Sequence, residues 1–220
     1  MTVETLTRYR IHYQRGSELR YVGNLDMQLG WERTLRRARL PVAFSQGFNP
    51  RPRFHMASAL PLGFTSNCEI FDLWLNHALD AQEVASKLQH SAPPGLLIDD
   101  AAVIPLNLPA LQTLVSAAEY RAIVREMPPD LDLARAVSEI LAAAELPRVW
   151  RSKPYNLRPL IFALQMDAPE GGWPVLVMRL SAREGATGRP EEVLSALGLD
   201  PTAARVTRVQ LVLNETHNEL

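Results

Sequence analysis

Cysteine is nearly absent from this chain. Cys68 is its one thiol, so the chain by itself builds no intramolecular disulfide, no cysteine zinc site and no cysteine-ligated iron–sulfur cluster. The histidines, His12, His55, His77, His90 and His217, are scattered, with no pair four residues apart that would mark a metal site on a helix. A redox or metal cofactor would therefore belong to a partner, and none is assigned to this chain. No apolar stretch approaches the roughly 18 residues needed to cross a bilayer, and residues 1–10 lack the apolar core of a secretory signal. The expected compartment is the cytoplasm, with no membrane partner. There is no Walker loop and no Gly-x-Gly-x-x-Gly run; Gly185, Gly188 and Gly198 have other spacings. Lysine occurs only at Lys87 and Lys153, so nearly all positive charge is arginine.

What is present is a globular composition: 220 residues, 47% hydrophobic and 21% charged, enough for one large domain or two of about 100 residues. The net charge of −1 hides a segregation. Residues 1–60 carry ten arginines against Glu4, Glu18, Asp26 and Glu32, a balance of +6 that leaves −7 for the rest. Arginine's planar fork suits phosphate and stacks on aromatic rings, and a basic region of this kind points to anionic partners.

The order of elements is read twice. In the first pass, residues 9–15 alternate as a strand, and Asn24 can cap a helix over 25–39 whose Met27, Trp31, Leu35 and Ala38 form an apolar stripe. A hairpin follows, from 42–45 and 54–57 to 69–75, turning at Pro61-Leu62-Gly63. Asp80 opens a helix to about residue 90 with Val84 and Leu88 inward, and 96–104 is a strand. In the second pass, 119–125 is a strand, 130–144 a helix with Leu133, Val137, Ile140 and Leu141 on one side, and 160–167 and 174–183 flank a turn at Glu170-Gly171-Gly172. A helix over 190–197 and a strand over 206–213 close it, with Pro190 suited to a first helical position and Gly198 to the residue past the end. This predicts an α+β protein of two tandem ferredoxin-like βαββαβ units with antiparallel sheets, over 1–107 and 119–220, joined by a short helical linker.

The strongest candidate surface is Phe44-Ser45-Gln46-Gly47-Phe48-Asn49-Pro50-Arg51-Pro52-Arg53-Phe54-His55. Gly47, Pro50 and Pro52 hold the backbone in a non-repetitive shape, while Phe48, Arg51, Arg53 and His55 supply the stacking surfaces and donors of single-stranded nucleic-acid binding. A second such mixture runs from Trp150 to Pro159 in the equivalent β2 region, where Arg151, Lys153, Tyr155 and Arg158 are the candidate contacts. Arg33, Arg36 and Arg37, opposite the first helix's apolar stripe, read as an ordinary solvated face. Gly188-Arg189 before a helix start is a weaker anion candidate, because Glu191 and Glu192 already complement the helix dipole. Catalytic groupings are thin. Asp72 lies mid-strand, Glu69 three residues before it falls on the other face, and Ser58, Thr65 and Ser66 have no adjacent base. No catalytic residue is assigned.

At Arg8-Tyr9-Arg10-Ile11-His12-Tyr13, Arg20-Tyr21-Val22-Gly23-Asn24-Leu25-Asp26, Phe44 to Pro52 and Ala59-Leu60-Pro61-Leu62-Gly63, the chain resembles the radical-SAM-linked proteins. These are a bacterial family of unknown function found beside, or fused to, cobalamin-binding radical SAM proteins. Arg158-Pro159-Leu160-Ile161 and Gly188-Arg189-Pro190-Glu191-Glu192-Val193-Leu194 extend the resemblance over nearly the whole chain. It implies a cobalamin-binding radical SAM partner, which would supply the cluster cysteines this chain lacks. Three functions stay open at this stage: a non-catalytic RNA-binding, substrate-presenting partner of a radical SAM RNA-modifying enzyme; a protein adaptor docking that enzyme through open sheet faces or the proline-rich arm; and an RNA-modifying enzyme using Asp72 or Glu69.

Overall fold

The computed structural model describes residues 6–150 and 152–214. The chain folds as two units that divide in sequence between Leu114 and Val115. The first contains β1 (Thr7–Arg15), α1 (Asn24–Ala38), β2 (Phe54–Met56), β3 (Thr65–Leu75), α2 (Ala81–Ser91), β4 (Leu96–Ile104) and the single turn α3 (Leu111–Leu114). β1 pairs antiparallel with both β3 and β4, and β2 pairs antiparallel with β3, giving the order β4-β1-β3-β2. Alternation on the strands meets the 3.6-residue period of the helices. Tyr9, Ile11 and Tyr13 of β1 and Phe71, Leu73 and Leu75 of β3 form one core with Met27, Trp31 and Leu35 of α1 and Val84 and Leu88 of α2. Trp31 is its centre, edge-on to Tyr13 at 4.9 Å between ring centroids and tilted on Phe71 at 4.3 Å.

The ends of α1 differ from the sequence expectation. Gly23, not Asn24, is the N-cap and makes no side-chain cap bond, and Arg39 lies outside the helix at φ 51° in the left-handed region. Asp80 does cap α2, accepting from the backbone N–H groups of Gln82 and Glu83.

The second unit contains β5 (Val115–Val124), α4 (Leu133–Ala142), β6 (Pro147–Trp150), β7 (Lys153–Asn156), β8 (Ile161–Glu170), β9 (Trp173–Arg183), β10 (Ala186–Thr187), α5 (Pro190–Ala196) and β11 (Ala204–Leu213). Antiparallel pairings give the order β11-β5-β9-β8, with β10 folded back on the end of β9. The expected linker helix shrinks to α3, and β5 starts at Val115 because Val115, Ala117 and Ala118 are buried with the sheet. Leu141, expected inward, is 37% exposed at the end of α4.

The largest difference concerns residues 147–156. The sequence puts this segment in the equivalent β2 region and assigns it no strand of its own; the strand expected over 160–167 forms as β8, and 147–156 adds a separate hairpin in which β6 and β7 pair only with each other. Asn156 closes the hairpin's base, its Oδ1 accepting from the N–H groups of Leu146 and Arg158. The chain is thus mixed α+β, with antiparallel sheets and five α-helices among the described residues. No helix among them is long and apolar enough to cross a membrane.

Candidate nucleic-acid interface

The arm between α1 and β2 is built from short-range constraints. Val42 bridges Leu75 and Phe44 bridges Pro52; Ala43 N–H donates to Trp74 O at 2.8 Å and Arg53 N–H to Ala43 O at 2.7 Å. Further out, Ser45 N–H donates to Arg51 O at 2.9 Å, and Arg51 N–H returns a bond to Ser45 Oγ at 3.1 Å. The loop beyond is sealed at its base. Gly47 takes φ 135°, which side-chain-bearing residues rarely adopt. Pro50 and Pro52 have no N–H with which to continue a ladder. At the tip Phe48 has its full surface in solvent, 106% of the reference, and Phe44 is 54% exposed. Arg51 is exposed beside them. Between the arm and α1 lies a pocket of about 300 Å³ whose walls include Glu32 and Arg36 on one side and Phe44, Pro50 and Arg51 on the other.

Arg53 and His55 are held differently. The Arg53 guanidinium lies 4.6 Å from the centroid of the Trp74 ring, the Arg8 guanidinium lies 4.9 Å from it, and His55 meets the same ring edge-on at 5.1 Å. Burial, then the charges of Arg53 and Arg8, lower the His55 pKa, with Asp72 opposing them. His55 is thus a neutral ring near pH 7, not a further cation.

Beneath this stack Asp72 is 0% exposed. Its Oδ2 accepts from Arg8 Nη2 at 2.6 Å, its Oδ1 from Arg10 Nε at 2.9 Å, while Arg8 also donates to the carbonyls of Leu108 and Pro109. Asp72 lines neither pocket described here. A carboxylate so occupied is structural, which counts against the reading that makes it catalytic. The sheet face away from α1 and α2, expected to be open, has Arg8, Ile70, Asp72 and Trp74 all buried.

In the second unit Trp150 of β6 and Lys153 of β7 lie across from the β9–β10 turn. Trp150, Lys153, Tyr155, Asn156, Thr187 and Arg189 are among the walls of a pocket of about 550 Å³ between them. The Arg189 guanidinium stacks 3.9 Å from the centroid of the Trp150 ring. Burial pushes the Tyr155 hydroxyl pKa up, helped by Glu192 and opposed by Arg189. Arg151 lies outside the described residues. Arg158 turns away, its guanidinium donating to the carbonyls of Ile161 and Leu141, so it ties the hairpin's exit to the end of α4. Arg189 enters the site through its side chain, not through a helix N-terminus; α5 is one short helix whose first turn holds Glu191 and Glu192.

The outer face of this unit's sheet offers no cationic platform. It mixes both signs in ion pairs, Arg121 with Glu170 at 2.6 Å and Arg179 with Glu119 at 3.8 Å. The candidate surfaces are therefore the arm and the hairpin pocket. Trp74 went unread as a site residue, and Arg189 was read only as a weaker anion candidate at a helix start, because their roles depend on which side chain lies across a strand pair or a turn.

Gly188 positions the pocket wall. A Cβ there would lie 2.9 Å from Leu160 O and 3.1 Å from Leu180 Cβ. Gly188→Ala is expected to cost about 1–3 kcal/mol and to displace the β9–β10 turn, read as a lower urea midpoint together with loss of Arg189–Trp150 stacking in tryptophan fluorescence.

A family model described as an uncharacterized protein conserved in bacteria (DUF2344) matches residues 8–190. The chain belongs to the DUF2344 family. No curated protein matches it. Solved structures that are similar to it include a Cbf5-Nop10-Gar1 complex, at 8% identity and TM-score 0.46, covering 93% of this chain and 48% of that one. Another is an H/ACA RNP bound to a substrate RNA containing 2′-deoxyuridine, at 11% identity and TM-score 0.42, covering 93% and 47%. An archaeal box H/ACA sRNP Nop10-Cbf5 complex follows at 9% identity and TM-score 0.43, covering 96% and 49%. This DUF2344 chain spans about half the length of the chains it matches, and likeness at this level says nothing of what it binds.

Proposed function

We propose that this DUF2344 protein is a non-catalytic RNA-binding partner that presents substrate to a radical SAM RNA-modifying enzyme. The observation that carries the RNA part is the arm: two solvent-exposed phenylalanines, Phe44 and Phe48, and the exposed Arg51, on a loop fixed at its base by reciprocal Ser45–Arg51 hydrogen bonds. Stacking rings and a cation on a pre-shaped loop suit unpaired bases and their phosphates. The radical SAM part rests on the resemblance of the Arg8, Arg20, Phe44 and Ala59 motifs and on the single cysteine. We further infer that each unit is ferredoxin-like, from the orders β4-β1-β3-β2 and β11-β5-β9-β8, which place four equivalent strands alike around two helices.

The test is filter binding of total tRNA and rRNA across a salt series. Affinity is expected to fall with salt, and Arg51→Ala/Arg53→Ala to flatten the log–log slope by about 0.7 for each phosphate contact removed. Absence of salt-dependent binding would sink the RNA reading and leave the adaptor reading, which the full exposure of Phe48 also supports. Phe54 cannot serve that alternative: it is 8% exposed and packs edge-on to Phe71.

A further inference from the structure

We propose that the pocket of the second unit holds one unstacked nucleoside 5′-phosphate unit, with the base against Tyr155 and Trp150 and the phosphate between Lys153 and Arg189. This deepens the RNA reading and rests on it for the source of the ligand. Four observations carry it.

The volume of about 550 Å³ falls within the range of small-ligand pockets, roughly 300–1,000 Å³, and exceeds what one side chain or a bare anion would fill. Among the described residues, two aromatic rings and two cations contribute to the walls and no acidic side chain does, while Glu192 acts on Tyr155 from outside the lining. That combination matches a ring joined to a phosphate and matches neither a cation nor a plain apolar ligand. The walls are also fixed in advance. Arg189 is stacked on Trp150 at 3.9 Å; Gly188 N–H donates to Ser181 O at 2.8 Å and Ser181 Oγ to Ala186 O at 2.6 Å. The opposite wall is set by Asn156, whose Oδ1 holds two backbone N–H groups and leaves the amide NH₂ as a donor. Finally, Lys153 is exposed and makes no ion pair among those of the described residues. It is available to a phosphate without first breaking a protein contact, so ligand binding adds a charge-assisted bond at little reorganisation.

The experiment follows Trp150 fluorescence in a Trp173→Phe background, where Trp31 and Trp74 are buried. The full chain is titrated with AMP, GMP, CMP and UMP, with the matching nucleosides, and with a short single-stranded oligoribonucleotide. A saturable change is expected for at least one nucleotide, at least tenfold weaker for its nucleoside and at least tenfold weaker in Lys153→Ala, a surface change that leaves the fold in place. Trp150→Phe should remove the signal. Filter binding of RNA to the same proteins separates the two readings. RNA binding without any saturable response to mononucleotide or oligonucleotide overturns this inference and spares the RNA reading. A Lys153-dependent mononucleotide response in a protein that binds no RNA supports the pocket and makes its ligand a free nucleotide. A response that Lys153→Ala and loss of the phosphate both leave unchanged overturns the inference.

Discussion

Replacing Asp72 by alanine is expected to destabilise the protein by about 3–5 kcal/mol, the cost of leaving buried charges uncompensated. Arg8 is 2% exposed, and its Nε and Nη2 both donate to Asp72 Oδ2, at 3.1 and 2.6 Å. Arg10 adds bonds at 2.9 and 3.1 Å to the two oxygens. With the carboxylate gone, the Arg8 guanidinium keeps only the carbonyls of Leu108 and Pro109 and the edge of the Trp74 stack. Neither carbonyl neutralises a positive charge. Asp72→Asn should fall between the two, since it retains shape and one acceptor. Restoring stability by Asp72→Leu with Arg8→Met would confirm that the loss comes from orphaned charge and not from a cavity. Urea midpoints by circular dichroism decide; a change below about 1 kcal/mol in Asp72→Ala would mean that water reaches the pair and the burial argument fails.

The second large effect is on binding and comes from the arm tip. Phe48→Ala is expected to weaken RNA affinity by about 1–3 kcal/mol, roughly 5- to 150-fold, because an exposed ring contributes by stacking on a base. Its side chain touches no core, so stability should not move. Salt slope is the discriminating readout. Phe48→Ala should leave it unchanged, while Arg51→Ala lowers it by about 0.7. If Phe48→Ala leaves RNA affinity intact but breaks co-purification with a radical SAM protein, the ring is a docking group and the adaptor reading takes over.

Much of the fold was legible because two periods dominate it. The Met27, Trp31, Leu35 stripe and the Tyr9, Ile11, Tyr13 alternation meet in one core as their spacing requires. β2 was harder to read. It is three residues long between prolines and an exposed arm, and only its register against Leu73, Asp72 and Phe71 makes it a strand. The hairpin of β6 and β7 was missed for a related reason: its residues read as a mixed aromatic, basic and proline segment, and its partner is only its own return. Aromatic–arginine interleaving located both candidate surfaces, yet not the work of each arginine. Arg158 and Arg189 look alike in sequence; one caps carbonyls and the other stacks on Trp150. Arg53 likewise lies on Trp74 only because Trp74 N–H pairs with Arg53 O. Such choices depend on cross-strand neighbours that no local pattern encodes.

The prolines of the arm have a consequence for solubility. β2 is the last strand of the first unit's sheet order, and an edge strand ordinarily offers its backbone to any passing chain. Here it is only three residues long, and Pro50 and Pro52 just ahead of it have no N–H to offer. The same residues that shape a binding loop therefore leave this margin a poor template for strand addition, beside an arm that displays a bare phenylalanine in solvent.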